Sequence, residues 1–424
     1  MYMLDIKFIR DNSDLIKLAA EKKRIDFDIA SLMKADDDRL SLLKVVEDLR
    51  SKQNAVSDRI ATMTQSERMI AIDEMQKVKE DLKKGEDKLS KAMILWRDLM
   101  LTVPNIPDMT VPEGMSDADN VEVKRWSEPK VFTFKPRDHI EIMEAQDMVD
   151  FTRGTKVSGF RGYYLKGDAA MLEMAIWTYA MERWSGKGFT PMLVPSLVKR
   201  ETLLGTGYLP QGQDDLYSDG EDYLAGTGEV AAMYYHSGEV LDIKDLPRKM
   251  IVWSPCFRKE AGSHGKDVKG LIRVHEFYKC EQIVLCEANH NMSVELHEEI
   301  TRHSESMMEE LGLHYHTVAN CGGDLGLGQV KKYDIEVWMP SQSKYRETHS
   351  ASYFHDFQTR RLNIRYRDAD GKMRFVHSLN NTAAATPRLV TAIIENYQNA
   401  DGTITVPAAL IPYVKKTILG TPRF

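Results

Sequence analysis

Cysteine is scarce in this sequence, which has four cysteines among 424 residues, namely Cys256, Cys280, Cys286 and Cys321. So few thiols in a long chain exclude a small disulfide-stabilised scaffold and indicate a reducing compartment. The sequence also lacks any apolar run of about 18 or more residues, so no membrane span is expected. Its first residues mix acidic and basic side chains and lack the apolar segment of a signal peptide. We therefore expect a cytoplasmic protein.

The sequence also has no excess of basic over acidic residues. The net charge is −7, which gives no global sign of nucleic-acid binding, so any RNA contact must come from local basic patches. The content of 29% charged and 42% hydrophobic residues is typical of a globular protein. A chain of this length is expected to form two or more domains, of which the larger buries a substantial core.

Phosphate-binding loops of the Gly-x-x-x-x-Gly-Lys-Ser/Thr type do not occur in the sequence. Internal repeats and low-complexity tracts are absent as well. These absences exclude the nucleotide-binding proteins built on that loop, and they exclude solenoid and propeller repeats.

Residues 38–103 contain no proline and a single glycine, Gly85. Two heptad stripes with charged residues between them run through this segment and predict two helices, each about 30 residues and 45 Å long. The stripes lose phase across residues 64–72, which predicts an antiparallel helical hairpin. Their members are Leu42, Val46, Leu49, Gln53, Val56, Ile60 and Met63, and then Met75, Val78, Leu82, Gly85, Leu89, Ala92, Trp96, Leu99 and Val103.

Periodicity alone favours a dimerisation coiled coil or an ordinary packed helical pair for this segment. Charge does not favour RNA binding, because residues 31–100 hold 14 basic and 14 acidic side chains. A linker composition follows, with Pro104, Pro107 and Pro112 and then polar residues up to Asn120. It predicts a boundary near residue 112, with one domain at 1–112 and a second at 113–424.

The second domain alternates short β-rich runs with helical stretches. Strands are expected at 249–253, 277–285, 332–338 and 362–366, and helices at 169–187, 290–311 and 386–398. Because regular βαβ alternation is missing, we predict an α+β domain on a mainly antiparallel sheet.

A charged hairpin is the most informative part of this domain. Strand-like runs at 253–257 and 277–285 flank a glycine-containing loop, which predicts a β-hairpin. Arg258 and Glu260 follow the first strand, while Arg273 and Glu281 belong to the second. Two guanidinium groups beside two carboxylates suit a ligand with a phosphate and an ammonium or hydroxyl group. A surface hairpin with cross-strand ion pairs is the alternative.

The hairpin resembles motif 2 of class II aminoacyl-tRNA synthetases, with Phe257-Arg258-x-Glu260 and then Arg273-x-x-x-Phe277. The longer run Phe-Arg-x-Glu-Ala-Gly-Ser followed by Gly-Leu-Ile-Arg is similar to the seryl-tRNA synthetases. Residues 377–390, with Pro387 and Arg388 at the start of a helix, resemble class II motif 3. Residues 188–195 resemble motif 1. The resemblance extends over nearly the whole chain.

The resemblance implies an ATP site of the class II kind. Arg258 is expected on the α-phosphate, Arg388 on the γ-phosphate, Phe277 against adenine and Glu260 near the base. Further family positions for ATP are Lys259, Arg273, Val274, Glu347, Thr348, His349 and Ser350. Mg²⁺ bound with ATP is expected at Glu347 and Ser350, since Mg²⁺ prefers oxygen ligands. The catalytic residues implied are Arg258, Arg388 and Glu347.

A Thr-x-Glu sequence at Thr227–Glu229 is by itself typical of a turn, but the family uses it to hold serine. Glu229 is then expected to pair with the α-ammonium group, while Glu281 and Thr382 receive the side-chain hydroxyl. Buried acceptors of this kind reject alanine, which would leave them unpaired. The family residues that complete the implied serine site are Thr227, Gly228, Arg258 and Asn380. Gly228 stands where alanine or serine is usual, which predicts a looser turn.

The resemblance also implies a homodimer formed through motif 1 and an antiparallel coiled-coil arm that grips serine tRNA. Charging of a selenocysteine tRNA remains open. Residues 3–10 resemble the family's first strand. Basic residues of the arm that could contact phosphate are Arg50, Lys52, Arg59, Lys77, Lys83 and Lys84.

Other classes of protein fit less well. A synthetase-like ligase that loads a carrier protein would lack the long arm. A catalytically inactive RNA-binding or scaffolding homologue would not need Arg258, Glu281, Glu347 and Arg388. No zinc is expected at His314, His316 and Cys321, because histidines at i and i+2 more often mark the face of a strand.

Overall fold

The computed structural model describes residues 4–60, 63–262, 265 and 267–423. They form two compact units. The helical unit comprises residues 5–21 and 25–104, and the sheet unit comprises residues 22–24 together with the chain from residue 105 onward. None of the helices within the described ranges combines the length and apolarity needed to cross a bilayer.

Four helices build the helical unit: α1 (Ile6–Asp11), α2 (Ser13–Lys22), α3 (Ile29–Arg59) and α4 (Gln65–Leu101). Asp28 caps α3 by accepting a hydrogen bond from the Ser31 amide at 3.1 Å. A capping box starts α4, where the Thr64 amide donates to Glu67 at 2.8 Å. The predicted helical hairpin is confirmed. Its second helix begins at Gln65, within residues 64–72, where the heptad stripes lose phase and a connection between the helices was expected.

The seam between α3 and α4 follows the predicted heptad positions, all of which are buried or half-buried. A Cβ atom at Gly85 would lie 3.2 Å from Val46 Cγ2, so glycine lets the helices approach closely there. Arg50 pairs with Glu86 across the seam at 2.7 Å. Ala71, at 7% exposure, extends the seam into the segment where the phase was expected to be lost.

The prediction of a strand at residues 3–10 is wrong for the described part of that segment. Residues 6–11 form α1, which Asp5 caps by accepting from the Lys7 amide at 3.0 Å. Ile9 is fully buried, and Arg10 donates to Asp36 at 2.6 Å. A cap and a single buried face therefore favour the helix over a strand. Met3 lies outside the described residues.

The sheet unit contains the remaining elements. Its helices are α5 (His139–Ala145), α6 (Phe151–Ser158), α7 (Gly167–Ser185), α8 (Arg200–Thr206), α9 (Gly228–Tyr234), α10 (His290–Glu310), α11 (Phe357–Leu362), α12 (Arg388–Tyr397) and α13 (Ile411–Val414). Its strands are β1 (Val121–Trp126), β2 (Val149–Asp150), β3 (Tyr164–Leu165), β4 (Thr190–Leu193), β5 (Leu197–Lys199), β6 (Tyr217–Asp219), β7 (Asp222–Leu224), β8 (Val240–Leu241), β9 (Arg248–Phe257), β10 (Glu276–Cys286), β11 (Tyr315–Ala319), β12 (Lys331–Met339), β13 (Lys344–His355), β14 (Arg365–Arg367), β15 (Met373–Phe375), β16 (His377–Thr386), β17 (Ile404–Thr405) and β18 (Ile418–Leu419).

Eight strands form the central sheet in the order β1-β11-β12-β13-β16-β10-β9-β4. Every neighbouring pair is antiparallel except β4 and β9, which confirms the predicted fold class. Helices α7, α10 and α12 pack on the sheet through fully buried residues such as Trp184, Ile300 and Ile393. All four cysteines are buried free thiols.

A buried lysine fixes one loop of the sheet unit. Lys23 is 2% exposed, and its ammonium donates to the carbonyls of Gly326, Leu327 and Gln329 at 3.2, 2.9 and 2.6 Å. Burial lowers the pKa of Lys23. The Asn105 amide group supports the same loop by donating to the Gly328 carbonyl at 2.9 Å. This loop carries Gln329, whose side chain lines the cavity of the sheet unit.

Replacing Trp96 with alanine tests the seam of the helical unit. Trp96 is 4% exposed and stacks under Arg39 at 4.6 Å, so its loss should cost about 3–5 kcal/mol in the opening of α3 and α4. Amide hydrogen exchange of both helices measures this cost. Leu95→Ala is the matched control, because Leu95 is 56% exposed, and it should change protection little. Unchanged exchange in the Trp96 variant would contradict the seam.

Candidate active site

A cavity of about 220 Å³ opens on the sheet where β10, β13, β16, the segment that follows β9 and the first turn of α12 come together. Most of the residues that motif reasoning selected line it. They are Glu229, Arg258, Glu260, Arg273, Val274, Phe277, Glu281, Glu347, Thr348, Ser350, Asn380, Thr382 and Arg388. The sheet thus brings together segments that are more than 150 residues apart in the sequence, from Glu229 to Arg388.

Strand periodicity explains how the sheet supplies this lining. Phe277, Lys279 and Glu281 alternate along β10 and all reach the cavity. Glu281 is the register partner of Thr382 on β16, directly beside a β-bulge in this ladder. The Thr382 hydroxyl donates to Glu281 Oε2 at 3.4 Å. Bulges re-aim side chains, and this one directs the carboxylate at the cavity.

Eight charged side chains line the cavity, four cationic and four anionic. Six of them neutralise one another in pairs, with separations of 2.6, 2.6 and 3.6 Å for Arg273–Glu260, Lys279–Glu281 and Arg388–Glu347. The attraction within each pair offsets part of the cost of desolvating these charges.

Arg258 and Glu229 are the two charged groups left over. Arg258 donates through Nε to the Gly226 carbonyl at 3.3 Å and lies 5.3 Å over the Phe277 ring, without an ion pair to any described carboxylate. Glu229 is 2% exposed and accepts hydrogen bonds from neutral donors, among them Tyr208 at 3.0 Å and Gln358 at 2.6 Å. Burial raises the pKa of Glu229, and these hydrogen bonds oppose it only in part. A cationic ligand would complete this site.

Glu347 presents a carboxylate at the other side of the cavity, with 47% of its side chain exposed. Desolvation opposes its ionisation, but the charges of Arg388, Lys332 and Arg258 lower its pKa. Behind it, burial raises the pKa of Asp334 to about 6, although Lys332 lies 3.4 Å away. Glu347 therefore presents an accessible carboxylate to this side of the cavity.

A clamp that the motifs did not reveal holds the loop between β9 and β10. His139 Nε2 accepts from the Leu271 amide at 3.3 Å, so Nδ1 carries the proton and donates to Glu395 at 2.9 Å. One residue further, the Ile272 carbonyl accepts from Arg388 Nε at 2.9 Å. Glu395 and Arg388 both belong to α12, which therefore anchors the returning arm of the loop.

Four predicted site residues do not line the cavity. Thr227 is fully buried and caps α9, its hydroxyl accepting from the Glu229 amide at 3.3 Å. Lys259 Nζ lies 5.7 Å over the Tyr217 ring, on the outer side of the loop. His349 is buried behind the sheet surface, and its Nε2 lies 3.2 Å from the Ala383 carbonyl.

Gly228 is the fourth. A Cβ atom there would lie 2.9 Å from Ser254 Oγ and from Val252 Cγ2. Glycine therefore lets the start of α9 pack directly on β9, and the expected looser turn is wrong. Glu229 is held firmly as a result.

Sequence reasoning missed Tyr208, Lys279, Gln329 and Ser352, which also line the cavity. Lys279 alternates with Phe277 and Glu281, so strand periodicity alone could have found it. Ser352 could have been found in the same way from Ser350. Tyr208 and Gln329 come from loops with no motif, and only the fold reveals them.

The residues considered for zinc have other partners. His316 lies between Glu122 and Glu336, at 2.8 and 2.6 Å. His314 Nδ1 lies 2.8 Å from the Trp126 carbonyl, and the Cys321 thiol donates to the Ser116 carbonyl at 3.2 Å. The described ranges hold no group of three or more His, Cys, Asp or Glu side chains arranged to bind a metal.

Comparison with known proteins gives the family of this chain. The family model of the seryl-tRNA synthetase N-terminal domain matches residues 3–107, and that of the class II tRNA synthetase core domain (G, H, P, S and T) matches residues 214–397. A serine–tRNA ligase from Deinococcus radiodurans is 44% identical over 99% of this chain and 100% of its own length. The chain belongs to the seryl-tRNA synthetase family.

Other relatives in the seryl-tRNA synthetase family also match over their full length. The serine–tRNA ligase of Thermodesulfovibrio yellowstonii is 42% identical over 97% of this chain and 99% of its own. The crystal structure of the Pyrococcus horikoshii seryl-tRNA synthetase complexed with ATP matches with a TM-score of 0.87 at 36% identity, covering 99% of both chains. That of the Naegleria fowleri enzyme with AMP matches with a TM-score of 0.84 at 28% identity and the same coverage.

Substituting His139 with alanine tests the clamp. The Leu271 amide would lose its acceptor, and an unsatisfied buried donor costs about 1–3 kcal/mol. We expect hydrogen exchange across residues 268–275 to accelerate about 10- to 100-fold, since 1.4 kcal/mol is about a factor of ten. Exchange measured by mass spectrometry gives the result. His303→Ala, a histidine on α10 outside the cavity, should leave this segment unchanged, and equal effects of both variants would contradict the clamp.

Proposed function

We propose that this chain is a serine–tRNA ligase, in which residues 113–424 catalyse and residues 1–112 bind tRNA. The unpaired guanidinium of Arg258 and the unpaired, buried carboxylate of Glu229 are the observation that carries the proposal. A cavity in which one cation and one anion form no ion pair with the described residues suits a zwitterion. An α-amino acid supplies both complementary charges, with its ammonium group at Glu229 and its carboxylate near Arg258.

Serine is the amino acid that the rest of the pocket favours. Glu281 and Thr382 place a carboxylate and a hydroxyl 3.4 Å apart at the side of the cavity, where they can bind a side-chain hydroxyl. Asn380 adds an amide next to Glu229. Alanine would leave these groups unpaired, at a cost of about 1–3 kcal/mol for each.

ATP is the second substrate, as the related structures complexed with ATP and with AMP support. Arg258 binds the α-phosphate and Arg388 the γ-phosphate, while Phe277 offers a ring for adenine. The Glu260–Arg273 pair, at 2.6 Å, borders the base, and Val274 contributes backbone groups. Thr348 and Ser350 supply hydroxyls on β13.

The donor set at Glu347 fits Mg²⁺ bound together with ATP. Glu347 is exposed to the cavity and ionised, and the Ser350 hydroxyl lies on the same strand and also lines the cavity. One protein carboxylate and one hydroxyl, with phosphate and water oxygens, are typical of such an ion. When bound, Mg²⁺ neutralises phosphate charge.

The chemistry needs no protein nucleophile. The serine carboxylate attacks the α-phosphorus of ATP. The bond between the α-phosphorus and the oxygen that bridges to the β-phosphate breaks, so pyrophosphate is released and seryl-adenylate is formed. A hydroxyl of the 3′-terminal adenosine of tRNA then attacks the seryl carbonyl and releases AMP. The protein contributes positioning and charge stabilisation, in which Arg258 meets the charge that grows on the α-phosphate. Catalytic roles fall to Arg258, Arg388 and Glu347.

Serine-dependent exchange of pyrophosphate into ATP tests this proposal. We expect exchange with serine and at least about 100-fold less with alanine, because several buried groups read the hydroxyl. Arg258→Ala should lower kcat by at least about 100-fold, since it removes transition-state stabilisation. Arg302→Ala, a half-exposed arginine on α10, is the control and should stay near wild type. Equal exchange with alanine, or near-normal activity of Arg258→Ala, would contradict the proposal.

The helical hairpin is the proposed grip on tRNA. Its six candidate bases are exposed on α3 and α4, and Arg50 and Lys77 among them form surface ion pairs. Lys52, Lys83 and Lys84 make no ion pair within the described ranges, so phosphates can recruit them. A ligase that loads a carrier protein would have no use for this arm. We take serine tRNA as the substrate, with selenocysteine tRNA still open.

Shortening the arm separates the two activities. Val46 and Gly85 face each other across the seam, so residues 47–84 can be replaced by a loop of about four glycines. We expect seryl-adenylate formation to stay within about twofold, while kcat/KM for tRNA charging falls at least about 100-fold as phosphate contacts are lost. Wild-type charging should weaken steeply with added salt. Undiminished charging by the shortened protein would contradict the arm's role.

A homodimer through motif 1 also belongs to the proposal. The edge strand β4 follows α7, and both expose apolar side chains, with Leu193 77%, Met174 53% and Met171 48% exposed. An apolar edge of this kind favours a partner surface. The cytoplasmic location stays a prediction from the composition.

A further inference from the structure

Lys279 is a charged cavity residue to which the proposed reaction assigns no role. It lies in the middle of β10 and is 8% exposed. Its ammonium is 2.6 Å from Glu281 Oε2, and both side chains line the cavity. Burying a lysine in such a position costs desolvation free energy, which its interaction with the neighbouring carboxylates offsets.

Two buried carboxylates compete in this corner of the cavity. Burial raises the pKa of Glu281 and of Glu229, and the nearby charge of Glu229 raises that of Glu281 further. Lys279 acts in the opposite direction on both. The titratable and charged groups that interact electrostatically with Glu281 are Tyr208, Glu229, Cys256, Arg258, Lys279 and Cys280.

The two oxygens of Glu281 have different partners. Oε2 accepts from Lys279 at 2.6 Å and from the Thr382 hydroxyl at 3.4 Å. Oε1 receives no hydrogen bond from the side chains or backbone of the described residues, and Glu281 faces the cavity. A carboxylate held in this way offers one lone-pair-bearing oxygen to an incoming hydroxyl donor.

We propose that Lys279 is the positioning residue for hydroxyl recognition, holding Glu281 as an anion with one oxygen directed at the side-chain hydroxyl of the amino acid. The inference rests on the proposed function and deepens it. Lys279 acts through Glu281 and does not touch the substrate. A protonated Glu281 would carry its own hydroxyl, and the pocket would lose its demand for a hydroxyl donor in the ligand.

The test uses Lys279→Met in the full chain, with Lys279→Arg as the conservative variant. Lys249→Met is the matched control. Lys249 lies on the neighbouring strand β9, outside the cavity, and pairs with Glu299 of α10 at 2.7 Å. Pyrophosphate exchange is measured with serine and with alanine from pH 6 to pH 9. For Lys279→Met at pH 7 we expect kcat/KM for serine to fall at least about 10-fold, mainly through KM. The value for alanine should change less than about threefold.

The pH dependence has a definite sign. Removing the lysine raises the pKa of Glu281, so the carboxylate is lost as the pH falls through that higher value. The ratio of variant to wild-type kcat/KM for serine should therefore rise with pH, whereas the ratios for Lys279→Arg and Lys249→Met stay flat. Taking ratios removes the titration of serine itself.

A double-mutant cycle gives a readout that a role in folding would not produce. In a Glu281→Gln background the anion is already absent, so adding Lys279→Met should cost less than about threefold. This double variant also removes both charges of the Lys279–Glu281 pair together, so it leaves neither of them without its partner, which favours folding. Equal losses for serine and alanine, a flat pH ratio or additive effects in the cycle would overturn the inference while the proposed function stood. A wild type without serine-dependent exchange would overturn both.

Discussion

Charge pairing inside a desolvated cavity is the constraint on which the site depends. Eight charged side chains line a cavity of about 220 Å³, and so many charges in one place need oppositely charged partners. Three ion pairs absorb six of the charges, and the two left over define what the cavity can bind. The charges that this cavity favours in a ligand therefore follow from the incomplete pairing of its own charges.

The antiparallel sheet makes that pairing possible. β10 lies between β9 and β16, so its alternate residues meet partners from segments about 30 and 100 positions away along the chain. The bulge beside Glu281 and the glycine at 228 adjust the geometry locally. Helix α12 then anchors residues 271 and 272, which precede β10, through Arg388 directly and through Glu395 by way of His139. Secondary structure, packing and site chemistry thus share the same residues.

Much of this could be predicted from the sequence, because several signals were local. Heptad spacing in residues 38–103 predicted the helical hairpin, and the strand–loop–strand pattern around Arg258 predicted β9 and β10. The strand expected at residues 3–10 rested on a short sequence resemblance. The Asp5 cap and the contact of Arg10 with Asp36 favour a helix there instead. The boundary predicted near residue 112 remains a prediction.

Within the site, sequence motifs identified many of the residues that line the cavity, but they did not identify the residues that hold those side chains and loops in place. Tyr208, Gln329 and the His139–Glu395 pair act through contacts between segments far apart in the sequence, which no local pattern records. Lys259 and His349 stood inside motifs but point elsewhere, because neighbouring residues of a strand or loop face opposite directions. A motif identifies a segment, while the fold decides which of its side chains reach the ligand.

The ammonium of Lys23 has a consequence for how the chain can be divided. Residues 22–24 precede the long helices, yet they belong by packing to the sheet unit, where Lys23 bridges three carbonyls of the Gly326–Gln329 loop. A fragment beginning at residue 105 would keep every strand of the central sheet and still leave those acceptors without their common donor. Each uncompensated acceptor costs about 1–3 kcal/mol. The catalytic half of the chain is therefore discontinuous in sequence, and any minimal version of it needs a short peptide from the other side of the arm.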